Sequence, residues 1–77
     1  MNIYVRNLSP ETLHSELLGY FEMFGKVTEV TISTYKVEGK SRASGFVEMP
    51  SNEHGQAAIT GLQGKEVRGY LLKLQEE

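Results

Sequence analysis

Asn2-Ile3-Tyr4-Val5-Arg6-Asn7-Leu8, near the start of the chain, and Arg42-Ala43-Ser44-Gly45-Phe46-Val47-Glu48-Met49, past its middle, decide how this sequence folds. Each alternates with a period of two, the mark of a strand with one buried face. In the first, Ile3 and Val5 point one way, Tyr4 and Arg6 the other. In the second, Gly45, Val47 and Met49 alternate inward, while Arg42, Ser44, Phe46 and Glu48 alternate outward. Pro50 ends this run because proline cannot donate to a ladder.

Between and beyond these stretches lie helical and further strand patterns. Ser9-Pro10-Glu11 reads as a helix start: a capping hydroxyl, proline at the first helical position, and an acid near the positive end of the dipole. Leu13, Leu17, Tyr20, Phe21 and Phe24 then form one apolar stripe, and Gly25 is expected to close the helix as a left-handed cap. A second strand is expected from about Val27 to Tyr35, with Val30 and Ile32 inward and Glu29, Thr31 and Ser33 outward. Tyr35 joins the outward set if that strand runs without a bulge. Residues 36–41 read as a polar turn reversing at Gly39. Ser51 caps a second helix carrying Ala57, Ala58, Ile59 and Leu62. After a turn bracketed by Gly61 and Gly64, a last strand from about Tyr70 to Gln75 sets Leu72 and Leu74 inward, with Leu71, Lys73 and Gln75 outward.

The expected order is strand, helix, strand, strand, helix, strand. This is the α+β, ferredoxin-like βαββαβ sandwich: a four-stranded antiparallel sheet with both helices on one face, as right-handed crossovers require. At 77 residues the chain allows one small domain, residues 1–77. Without cysteine, neither disulfides nor a thiolate metal site can support it, so its core is hydrophobic packing. No apolar run approaches the roughly 20 residues of a membrane span. The first residues lack the pattern of a signal peptide, so the expectation is a cytoplasmic protein without a membrane partner.

Within that frame, Ile3-Tyr4-Val5-Arg6-Asn7-Leu8 resembles the hexamer of the RNA recognition motif family: aliphatic, aromatic, aliphatic, any, Asn, Leu. Arg42 to Met49 resembles its octamer, Lys/Arg-Gly-aromatic-Gly/Ala-Phe-Val-any-aromatic, agreeing at Arg42, Gly45, Phe46 and Val47 and departing at Ala43, Ser44 and Met49. Leu62-Gln63-Gly64 is similar to the family's Leu-Asn-Gly turn. The likeness covers nearly the whole chain, and its cast is that of the small single-domain bacterial members.

The resemblance implies binding of single-stranded RNA on the open sheet face, with single-stranded DNA as a second candidate. Tyr4 and Phe46, side by side on the central strands, would each stack a base, and Arg42 would meet a phosphate. Arg6 and Lys73 share that face. Ser44 stands where many relatives carry a third aromatic, a loss comparable to one stacking contact, roughly 1–3 kcal/mol. Net charge is −2, which disfavours indiscriminate phosphate binding. Its distribution matters more. Arg6, Lys36, Lys40, Arg42 and Lys73 fall on the open face or its adjoining loop, against Glu29, Glu38 and Glu48, leaving that side two charges positive. Weak binding of low sequence specificity is therefore expected.

Catalysis is not. There is no Asp and no Cys, and His14 and His54 lie on separate helices without a ligand-spaced companion. No cofactor or metal is implied. The second reading is a protein-interaction module of the same fold, favoured by the net negative charge. Its turn Gly64-Lys65-Glu66-Val67 lacks the Arg-any-Phe signature of one such subclass. A monomer is expected, with Leu71 and the exposed aromatics as a candidate patch for a protein partner.

Overall fold

A computed structural model describes all 77 residues. Its elements are β1 (Asn2–Leu8), α1 (His14–Glu22), β2 (Glu29–Val37), β3 (Lys40–Glu48), α2 (Asn52–Leu62), β4 (Glu66–Val67), β5 (Tyr70–Leu71) and β6 (Lys73–Glu76). The main sheet has four strands in the order β2-β3-β1-β6, every neighbouring pair antiparallel. The two motif strands are thus the central pair. β4 and β5 form a separate two-stranded hairpin. No helix is long and apolar enough to cross a membrane.

Alternation sorts the central strands as their residue types require. Ile3, Val5, Val47 and Met49 are wholly buried and join Leu17 and Phe21 of α1, Ala58 and Leu62 of α2, and Leu72 and Leu74 in one core. Gly45 lies under the side chains of Leu17 from α1 and Leu8 from β1. A Cβ there would meet Leu17 Cδ2 at 2.8 Å and Leu8 Cδ1 at 3.0 Å. Phe24, half-buried at the end of α1, sits over Gly61 of α2 and completes the helix layer.

Two reversals share one solution. The β2–β3 hairpin turns on Glu38-Gly39 (φ 52° and 79°), and the β4–β5 hairpin turns on Arg68-Gly69 (φ 53° and 84°). Positive φ at both central residues is what a type I′ turn demands, and its twist matches that of the strands it joins. The first reversal is therefore tighter than the six-residue turn expected, and β2 and β3 run on to Val37 and Lys40.

Both ends of the first helix differ from expectation. Helix α1 begins at His14, not beside Ser9-Pro10. Ser9 instead builds a turn: its Oγ accepts from the Glu11 N–H (3.2 Å), and its carbonyl accepts from the Thr12 N–H (3.0 Å). The helix starts where Glu16 Oε1 accepts from the Leu13 N–H at 3.0 Å. A Ser-Pro-Glu run signals a turn as well as a cap, and here the turn prevails. Gly25 is not the cap of α1, because the helix closes earlier, with the Phe24 N–H donating to Phe21 O. Gly25 has φ 155°, and its missing Cβ leaves room for the His54 ring from α2. By contrast α2 is capped as expected, the His54 N–H donating to Ser51 Oγ at 3.2 Å.

The last strand is interrupted at Leu72. Its N–H donates to Lys65 O and its carbonyl accepts from the Gly64 N–H, both at 2.9 Å, so this residue pairs with the turn after α2 rather than with β1. The side-chain amide of Gln63 holds the next step, donating to Leu74 O and accepting from the Leu74 N–H at 2.8 Å each.

Candidate nucleic-acid interface

The open face is organised by the registers of β1. Tyr4 lies opposite Phe46 on β3 and opposite Gln75 on β6. Directly opposed side chains on one face stand about 4.5–5.5 Å apart at Cβ, so the two rings are neighbours. Both are half-buried. Phe46 is flanked on its far side by Thr31 of β2.

Beyond Val5 the strand departs from simple alternation. Val5 pairs with Gly45, but the next pair is Leu8 with Ala43, so Arg6 and Asn7 together face the single residue Ser44. This is a β-bulge, with Asn7 at φ 63°. Asn tolerates the left-handed region better than other non-glycine residues. The bulge turns Leu8 into the core, where it is 2% exposed, although its even number would otherwise place it beside Tyr4. Asn7 Nδ2 donates to Leu71 O at 2.8 Å, tying the bulge to β5 across 64 positions of sequence.

That tie shapes a concavity of about 230 Å³ lined by Tyr4, Arg6, Asn7, Leu8, Tyr35, Arg42, Ala43, Tyr70 and Lys73. Four of the six expected site residues, Tyr4, Arg6, Arg42 and Lys73, meet there. Arg6 and Lys73 are ladder partners, and Arg42 pairs with Tyr35. No carboxylate lines the concavity. The chain's one salt bridge, Arg68 to Glu16 at 3.0 Å, lies apart from it. Within a net acidic chain this spot holds three unneutralised cations beside aromatic rings. Phe46 adjoins it through Tyr4. Ser44 lies between Phe46 and Arg42 along the strand, opposite Ser33, and is 8% exposed.

Asn7 and Tyr70 were not among the expected site residues. A signal for the first was present: apolar residues at 3, 5 and 8 break the alternation once, which is what a bulge does to a pattern. Tyr70 carried no such signal, because it shares the parity of the inward Leu72 and Leu74 and sits instead in the β4–β5 hairpin. The Glu16–Arg68 pair lies behind this rim. Glu16's carboxyl titrates below its ordinary value, through the hydrogen bond from the Leu13 N–H and then the one from Arg68.

Comparison with known proteins places the fold in a family. A family model described as RNA recognition motif matches residues 3–73. The chain is 41% identical to RbpE of Nostoc sp. over 76 residues, covering 99% of this chain and 77% of that protein. It is 40% identical to RbpF of Nostoc sp. over 76 residues, covering 99% and 72%. The crystal structure of RNA binding protein PG1 superposes with a TM-score of 0.87 at 36% identity, covering 100% of this chain and 93% of that one.

Proposed function

Because this chain belongs to the RNA recognition motif family, we propose that it binds single-stranded RNA across the open face of its sheet. Tyr4 and Phe46 each stack one base, and Arg42 meets the phosphate between them, with Arg6 and Lys73 adding charge at the rim. The observation that carries this reading is the register Tyr4↔Phe46 on the two central strands, next to a concavity that gathers Arg6, Arg42 and Lys73. Adjacent flat rings match successive bases, and every base has a face to stack.

Two platforms and a small positive patch on an acidic chain give weak binding, on the order of micromolar or weaker. Two or three phosphate contacts correspond to a log–log salt slope of about −1.5 to −2. Stacking with few base-edge contacts gives low sequence specificity, and single-stranded DNA is bound through the same rings. The same reading makes the protein a non-enzymatic, cytoplasmic monomer working without a cofactor.

An NMR titration with a short random RNA pool tests it. Amide shifts concentrated on β1, β3 and the Tyr70–Lys73 segment are the expected result. Shifts confined to α1 and α2, or none at high RNA concentration, would sink the proposal and favour the protein-interaction reading.

A further inference from the structure

A second hollow, of about 660 Å³, lies over the edge of the first. Three segments far apart in sequence wall it: the Ser9-Pro10-Glu11 turn, the start of β3 (Lys40, Ser41, Arg42), and the β4–β5 hairpin (Arg68, Tyr70). Arg42 and Tyr70 line both hollows and form the ridge between them.

The chemistry of the two differs. Both hold cations, but the first sets them among three tyrosines, whereas the second has Tyr70 alone of these and adds Ser9 and Ser41. Lys40 and Arg42 have no acidic partner. Arg68 spends its Nε–H and one Nη2–H on Glu16 Oε1, at 3.2 and 3.0 Å. That bond fixes the guanidinium plane and leaves three of its N–H donors free. Glu11 is the one carboxylate in the lining. A hollow lined by Lys40, Arg42 and the free N–H donors of Arg68, against one carboxylate, suits a phosphate.

We propose that this second hollow takes a phosphate of an RNA strand that continues past the two stacked bases and leaves the sheet over Arg42, with Lys40 and Arg68 as its donors. The proposal rests on the RNA reading of the open face. The phosphate is either an internal phosphodiester or a terminal phosphomonoester.

The test compares a dinucleotide with a hexanucleotide, each with and without a 5′-phosphate, by fluorescence anisotropy against the intact chain. Lys40→Gln is expected to weaken hexanucleotide binding roughly threefold and to reduce its salt slope by about 0.7, while leaving the unphosphorylated dinucleotide unchanged. Lys40→Arg restores the affinity, and Glu11→Gln tightens hexanucleotide binding. If the 5′-phosphorylated dinucleotide also becomes sensitive to Lys40, the source is a terminal phosphate; if only the hexanucleotide is sensitive, it is an internal one. Equal weakening of the hexanucleotide and the unphosphorylated dinucleotide would reduce Lys40 to a diffuse field and overturn the proposal, as would no effect on any of the oligonucleotides. Wild-type protein that binds none of the oligonucleotides refutes the RNA reading itself, an outcome distinct from these.

Discussion

The two faces of the β1–β3 pair are made from alternate residues of the same strands, yet they obey different rules. On the inner face Ile3 opposes Val47 and Val5 opposes Gly45, and none of these four keeps appreciable exposure. Even a methyl group on Gly45 has no free space. On the outer face Tyr4 opposes Phe46 with solvent above both. Inner positions are constrained by volume and outer ones by chemistry, so stability and binding should separate by residue parity along a single strand.

Adjacent positions give the sharpest way to break this comparison. Ile3→Ala empties a wholly buried site and should cost about 2–5 kcal/mol, a large share of the stability of so small a domain. Urea titration checks it, and a near-native midpoint would mean that the inner face tolerates voids. Gly45→Ala probes the same face from the other side. It forces Leu17 or Leu8 aside and should destabilise by about 1–3 kcal/mol, measured in the same way.

The outer face should show the reverse. Tyr4→Ala and Phe46→Ala are each expected to weaken RNA binding by roughly 1–3 kcal/mol while lowering the unfolding midpoint less than Ile3→Ala does. Titration calorimetry with denaturation of the same samples separates the two quantities. Unfolding of either variant would show that the outer rings are structural after all.

Asn7→Ala should fall between the classes, at about 1–2 kcal/mol, because it removes both a residue tolerant of positive φ and the bond to Leu71. Asn7→Gly retains the backbone conformation and loses only the bond. Both should shift the Leu71 and Tyr70 amides in an NMR spectrum, and only the alanine variant should strain β1.

The smallest effect belongs to Glu16, on an exposed pair behind the rim. Its carboxyl is depressed in the folded state, so the stability it contributes is present above the ordinary carboxylate value and is lost as pH falls through the lower folded value. Thermal midpoints measured from neutral pH down through that range should decline slightly more for wild type than for Glu16→Gln.

Much of this was legible in the sequence, and what was not has a common cause. Period-two patterns and helix stripes are local, and they revealed the order of elements, the inward strand residues from Ile3 to Leu74 and the Ser51 cap, though Leu13 of the expected stripe is exposed; the pairing of Tyr4 with Phe46 came from the family resemblance. The start of α1 was misplaced because Ser9's hydroxyl can close a turn or cap a helix, and only the packing of Ser9 and Thr12, at 3% and 7% exposure, decides between them. The break at Leu72 and the small β4–β5 hairpin depend on partners in a turn, where periodicity says nothing. Of the candidate site, the strand residues were readable. The rim was not, since Tyr70 stands there in a hairpin with Val67 and beside the long-range Asn7–Leu71 bond, neither of which any window of periodicity contains.

The extra residue in β1 has a consequence for how this strand could be shortened. Were Asn7 deleted, Val5, Arg6 and the leucine now next to it would stand one for one against Gly45, Ser44 and Ala43, and that leucine would still face inward. The core has no need of Asn7; it is a surplus residue by the arithmetic of the ladder. What would be lost is the link to Leu71, and with it the alignment of one chain segment against another that gives the rim its shape. β1 is therefore one residue longer than its own packing demands, and that residue serves a neighbour instead.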